Sequence, residues 1–335
     1  MPTTFHKASI IGAGSWGSAL SFILSSSFDN ILIHARSEDK VKELNEKRTN
    51  LTYLGDRVFP ENVSATTNFY DLKDSELILF VVPTSAMRAT AEQMKKTQLP
   101  ESTILVSCSK GIERGSGLRM SQILKEFFPN NPIAVHSGPT HAEEVVKGLA
   151  GCAVVASDAP ATLPYLQKAF STPYFRTYTS DDIAGIELGG ALKNVFAIAA
   201  GMSRGIELGD NSIAALVTRG LAEMTRLGTA LGGRAETFSG LSGVGDLMVT
   251  CYSEHSRNNR VGYSIGRGAT CEDACKALGM VAEGVPNTLS IYESAKQVNI
   301  ETPIIDAVYQ VLYENKPVNE ALKELLSREL RSETE

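Results

Sequence analysis

The chain has 335 residues and a net charge of −6, with 43% apolar and 21% charged residues. That length accommodates two domains around a sizeable core, and the acidic balance excludes a general nucleic-acid surface. Five cysteines (Cys108, Cys152, Cys251, Cys271 and Cys275) form an odd set with no C-x-x-C spacing, which argues against a disulfide framework or a zinc site and for a reducing, cytoplasmic compartment. The N-terminal "MPTTFHKAS" has no long apolar segment, so no signal peptide is expected. No uninterrupted apolar run approaches the ~18 residues of a membrane span.

In chain order, short apolar runs predict strands at 7–11, 30–34, 77–82, 103–107, 133–136 and 152–156. Amphipathic stretches at 19–26, 38–47, 86–95 and 118–127 predict helices between them. This alternation reads as βαβ units: an α/β Rossmann domain, doubly wound on a mostly parallel sheet, over 1–180. Pro83 and Pro139 each follow a strand, where proline ends pairing. From about Ser180 the texture becomes helical, with Asp181 and Asp182 as N-caps of a long helix. An all-helical domain is therefore expected over 181–335, joined to the first by that helix. Its charged tail from Lys323 is expected to fray.

The first strand runs into "GAGSWG", so Gly12, Gly14 and Gly17 stand at the spacing G-x-G-x-x-G between a strand and a helix. In that context Gly12 permits the tight turn, Gly14 admits a pyrophosphate and Gly17 lets helix and strand pack closely. The second strand ends in His34-Ala35-Arg36, with no acid where an NAD-selective site carries one. Arg36 there favours NADPH over NADH by pairing a 2′-phosphate; a solvated strand-end charge is the plainer reading of the same residue.

Four later stretches place polar groups where a substrate would meet them. Lys110 follows the fourth predicted strand, at the carboxyl end where open sheets bind ligands. "SGPT" turns a strand into a helix, so Thr140 either caps that helix or presents its N-terminus to a cleft. Lys193 and Asn194 interrupt the small and apolar "GGALKNVFAIAAG". A lysine held in such a core loses hydration and proton affinity, which suits a general acid near neutral pH. "GLSGVGDLMVTCYSEHSRNNR" gathers Asp246, Thr250, Ser256, Arg257 and Asn258, where Arg257 and its neighbours suit a phosphate.

Together these blocks resemble the bacterial-type NAD(P)-dependent glycerol-3-phosphate dehydrogenases. "IGAGSWG", "SKG", "SGPT", "GGALKN", "TRGLAEMTRLG", "GVGDL", "SRN" and "VAEGVPNT" occur in order over nearly the whole chain. The resemblance implies reversible reduction of dihydroxyacetone phosphate to sn-glycerol 3-phosphate, supplying phospholipid synthesis. By resemblance, Lys193 falls on the catalytic acid/base, and Lys110 meets cofactor and substrate. Gly138, Thr140, Asp246, Ser256, Arg257 and Asn258 fall on substrate positions; Ser15, Trp16, Arg36, Ala142, Arg257, Val281 and Glu283 fall on cofactor positions. Within the chemistry so implied, Lys110 would stabilise negative charge and Asp246 would orient the ammonium groups. A homodimer is a possible assembly. Two other readings remain open at this point: a related hydroxyacid dehydrogenase and a non-catalytic dinucleotide sensor.

Overall fold

A computed structural model describes residues 5–330 together with 332 and 333. Its sheet has eight strands: β1 (Phe5–Ile11), β2 (Phe28–His34), β3 (Val63–Thr66), β4 (Leu77–Phe80), β5 (Ile104–Ser107), β6 (Ile133–Ser137), β7 (Gly151–Ser157) and β8 (Phe175–Ser180). They lie in the order β3-β2-β1-β4-β5-β6-β7-β8, parallel throughout except for the antiparallel β6–β7 pair. The order reverses between β1 and β4, the switch point where doubly wound sheets bind dinucleotides. Around the sheet run α1 (Ser15–Leu24), α2 (Glu38–Lys42), α3 (Leu51–Leu54), α4 (Met87–Lys95), α5 (Met120–Phe127), α6 (Ala142–Val145) and α7 (Leu163–Phe170). Helices α1 and α7 pack into one apolar core, and α4 and α5 into another on the opposite face.

The central strands read as continuous apolar runs because both of their faces are covered: all four residues of β4 and of β5 are buried. β3 and β8 escape the predicted set. They are the two edges of the sheet, and "VSAT" and "FRTYTS" alternate buried with more exposed positions. The predicted helix 38–47 is α2 followed by a wider π-helical turn, 43–47.

The second half among the described residues contains helices and no strand. Its axis is α8 (Ile183–Gly205), whose 23 residues are almost all buried. The chain continues as α9 (Asp210–Ala230), α10 (Ala235–Phe238), α11 (Asp246–Tyr252), α12 (Arg257–Gly266), α13 (Cys271–Leu278), α14 (Gly284–Gln297), α15 (Pro303–Tyr313) and α16 (Val318–Leu326). Helices α9, α11, α12, α14 and α15 all pack against α8. This helix is long and apolar enough to cross a membrane, yet its apolar window is 94% buried inside the protein: it is a core helix.

Of the two expected caps, only Asp182 serves, accepting from the Gly185 N–H at 2.9 Å. The same carboxylate accepts from Arg234 N at 2.9 Å and from Thr237 Oγ1 at 2.6 Å. Asp181 instead pairs with the Arg234 guanidinium at the surface. In the charged tail, α16 ends at Leu326 and residues 327–330 are exposed; Arg331, Thr334 and Glu335 lie outside the described residues.

Candidate active site

The glycine loop joins β1 to α1 at the switch point. Gly12 has φ +121°, and a Cβ there would overlap the Val81 carbonyl oxygen. A Cβ at Gly17 would overlap the Gly12 carbonyl, whereas Gly14 has no atom within 4 Å of its Cβ position. Two glycines are thus consumed by packing, and the third leaves the loop open to an approaching ligand, as a pyrophosphate requires. Ser15 and Trp16 open α1, whose first N–H groups face the loop. Trp16 is half-buried, its ring centre 5.9 Å from that of His136. Buried Asn50 braces the loop by donating to the Ala13 carbonyl at 3.0 Å and to Ser18 Oγ at 2.8 Å. Arg36 is exposed two residues past β2. Glu38 is turned away toward Thr67, whose hydroxyl donates to it at 2.7 Å. These residues fit a dinucleotide.

Two strand ends and two helices build a cluster around Asp246. Lys110, past β5, donates through Nζ to Asp246 Oδ2 at 2.5 Å and to the Gly138 carbonyl, past β6, at 3.0 Å. Lys193, in the middle of α8, donates to Asp246 Oδ1 at 2.6 Å and to Thr250 Oγ1 at 2.6 Å. One carboxylate therefore bridges two ammonium groups, and Thr250, one turn along α11, completes the Lys193 seat. Lys193 is 7% exposed and Asp246 1%. A Cβ at Gly190, three residues before Lys193, would press on Ser137 Oγ and the Lys110 stem; glycine lets α8 come this close.

Burial pushes the Lys193 ammonium down to about 8, the positive charge of Lys110 adds to that push, and Asp246 opposes both. For Asp246, burial alone acts upward; Lys110 and Lys193 outweigh it and hold the carboxyl below its ordinary range. The cluster carries two positive charges and one negative, a surplus of one positive charge.

The remaining expected positions lie on the β6–α6 turn, at the start of α12 and just before α14. Thr140 does not cap α6; its hydroxyl donates to the Gly138 carbonyl at 3.2 Å, and the N-cap residue is His141. Ala142 opens α6 and is buried. Ser256 caps α12 by accepting from Asn259 N at 3.2 Å, so this hydroxyl shapes the helix end that Arg257 begins. Asn258 donates to Asn194 Oδ1 at 2.9 Å and accepts from Gly284 N at 2.9 Å; its amide is committed to joining α8, α12 and α14. Glu283 accepts from Thr84 Oγ1 at 3.0 Å. Burial raises its pKa, while Thr84 and the positive charge of Arg257 act downward. Val281 is exposed on the loop before α14. Ser137 Oγ and His141 Nε2 are buried beside the cluster with no protein partner.

Comparison with known proteins decides the family. Residues 7–163 match the family described as NAD-dependent glycerol-3-phosphate dehydrogenase N-terminus, and residues 182–323 match its C-terminus. The glycerol-3-phosphate dehydrogenase (NAD(P)+) of Pediococcus pentosaceus is 47% identical, over 98% of this chain and 99% of that protein. This chain belongs to the glycerol-3-phosphate dehydrogenase family. Among solved structures, the enzyme from Coxiella burnetii superposes with a TM-score of 0.92 at 36% identity, over 96% of this chain and 99% of the other. The yeast glycerol-3-phosphate dehydrogenase gives 0.84 at 26% identity, over 97% and 100%.

Neither Asn194, Asn287, Thr84 nor Asn50 was singled out for a role in the sequence. Asn194 had a visible signal, a second polar residue inside the apolar run of α8. Thr250, named in the sequence beside Asp246, lies four residues from it on the same helix face.

Proposed function

We propose that Lys193 is the proton donor in the NAD(P)-linked reaction of this glycerol-3-phosphate dehydrogenase, the reduction of dihydroxyacetone phosphate to sn-glycerol 3-phosphate. When bound, the nicotinamide supplies the hydride. Lys193 gives a proton to the carbonyl oxygen as it becomes an alkoxide, and Lys110 stabilises the developing negative charge. Asp246 holds both ammonium groups in place. Gly138 and Thr140 border the substrate, and the uncompensated α12 N–H groups with Arg257 take its phosphate. Ser256 and Asn258 hold that helix end in place. Gly12, Gly14, Ser15, Trp16, Gly17, Arg36, Ala142, Val281 and Glu283 serve the cofactor.

One observation carries this reading: a buried lysine, Lys193, and a partly exposed one, Lys110, share one buried carboxylate. Burying a charge is costly, and a passive dinucleotide sensor has no use for the surplus positive charge. An acidic protein thereby takes two anionic ligands at a locally basic cleft. NADPH is the preferred cofactor in this reading, NADH the weaker one, and the product feeds phospholipid synthesis in the cytoplasm. A homodimer belongs to the same reading, supported by exposed Met248, Tyr252 and Tyr263 on the helical half; sedimentation of the purified chain tests it.

The deciding experiment is steady-state oxidation of NADPH and NADH with dihydroxyacetone phosphate. Lys193→Ala is expected to lower kcat by about 10²–10⁴-fold with cofactor binding nearly unchanged. Lys193→Arg is also poor, because arginine does not release its proton near neutral pH. Near-normal kcat in Lys193→Ala, with Lys110→Ala inactive, assigns the acid to Lys110 instead.

A further inference from the structure

Asn287 is 1% exposed on α14, and both ends of its carboxamide are spent on the loop that carries Lys110. Nδ2 donates to the Lys110 carbonyl at 2.8 Å, and Oδ1 accepts from the Ile112 N–H at 3.4 Å. Between those two partners lies Gly111, where a Cβ would overlap Asn287 Oδ1 and sit 2.6 Å from its Nδ2. Thr84 Oγ1 would be overlapped as well, so a side chain after the lysine has no room. Asn194 donates to the same Lys110 carbonyl at 3.4 Å. The Lys110 peptide is thus gripped by two side-chain amides from the helical half, while its own ammonium reaches across to Asp246.

Glu283 and Asn287 are four residues apart, on one face of the first turn of α14. Glu283 takes the hydroxyl of Thr84, past β4, and Asn287 takes the loop past β5. One helical turn therefore ties down two adjacent strand ends at the cofactor edge of the sheet.

We propose that Asn287 is a positioning residue for Lys110, fixing its peptide so that the ammonium group bears on Asp246 and Lys193. A lysine side chain has four rotatable bonds, so the place of its charge is only as defined as the backbone from which it starts. The proposal rests on the roles given above to Lys110 and Lys193. Its consequence is that losing the Asn287 amide loosens the Lys110 charge, removes part of its downward push on Lys193, and raises the proton affinity of the general acid.

Two variants test this. Asn287→Ala removes both hydrogen bonds. Asn287→Asp keeps the shape and the acceptor for Ile112 N–H but loses the donor to Lys110. For each, kcat, KM for dihydroxyacetone phosphate, NADPH binding by fluorescence quenching, the thermal midpoint and the pH profile of kcat are measured. Both variants are expected to lower kcat/KM by about 10- to 100-fold, as for the loss of one buried hydrogen bond, with NADPH binding much less affected. The alkaline limb of kcat for reduction moves to higher pH in Asn287→Ala, a shift that a purely structural role does not produce.

An unmoved limb with normal kcat/KM in the folded Ala variant overturns the proposal. So does an Asp variant that behaves like the parent, because Asn287 then only caps Ile112. If the Ala variant does not fold, the isosteric Asp variant decides by its kcat/KM. Lys110→Ala separates the two levels: if it shifts kcat, KM and the limb while the Asn287 variants do not, the positioning role alone is wrong. If Lys110→Ala shifts nothing, the reading of Lys110 fails and this proposal with it.

Discussion

At the scale of single residues, a proton affinity near 8 for Lys193 has opposite consequences for the two directions of the reaction. Reduction needs the ammonium form, so kcat for dihydroxyacetone phosphate falls as pH rises through about 8. Oxidation of glycerol 3-phosphate needs the neutral amine, so its rate climbs through the same range. Paired pH profiles on one enzyme preparation check this; two limbs of the same sign exclude Lys193 as the titrating group. Arg36 carries a second prediction. It stands exposed past β2 with Glu38 turned away, so Arg36→Ala is expected to weaken NADPH by about 1.5–3 kcal/mol, the worth of a charge-assisted contact, and NADH much less. Equal losses in titrations with both cofactors assign Arg36 another partner. The lysines were legible because charge in an apolar helix or at a strand end is conspicuous. Asn287 was not, since an asparagine near a helix start normally reads as a turn or cap residue, and its partner lies 177 positions away.

At the scale of elements, α12 does two things with its first turn. Ser256 satisfies the Asn259 N–H, while Arg257 begins the helix close enough to Glu283 for its charge to act on that carboxylate. Ser256→Ala is expected to cost about 1 kcal/mol of stability, the usual worth of a cap, read by denaturant unfolding, and to raise KM for the substrate. Arg257→Ala is expected to raise KM by the equivalent of about 1.5–3 kcal/mol without the stability loss. The split fails if unphosphorylated dihydroxyacetone is penalised as heavily as the phosphate. Six of the eight strands could be read from apolar runs because helices cover both of their faces. The two edges could not: β8 buries Phe175 and Thr177 and leaves Arg176 and Tyr178 out, a pattern too short and polar to stand apart from a loop. The reversed β6–β7 pairing was also invisible, because strand direction depends on a connection whose only helix, α6, has four residues.

At the scale of the whole molecule, Glu223 ties the helical half together. From α9 it accepts the Ile304 and Ile305 N–H groups at 3.0 and 2.9 Å, capping α15 from another helix. Burial raises its carboxyl to about 7, with the two N–H groups and Arg226 acting downward and Asp306 upward. Its folded value lies above the unfolded one, so the folded state holds the proton more tightly. That contribution is fully present below the unfolded value and is lost as pH rises through about 7. The stability difference between the parent and Glu223→Gln is expected to shift against the parent between pH 5 and 8, by up to about 3 kcal/mol. Denaturant unfolding of both across that range checks it, and a flat difference refutes it.

The texture change near Ser180 marks where strands stop, but it is not a seam. Val135 and Val154 from the sheet share a small core with Ala156 and with Ile186 of α8, against Ile183 and Leu241. A chimera that joins this nucleotide-binding half to the helical half of a distant relative at 180/181 therefore inherits a foreign plug for the last strands of its sheet. The heritable unit is the end of the sheet together with the helix that carries Lys193, because the two share one core.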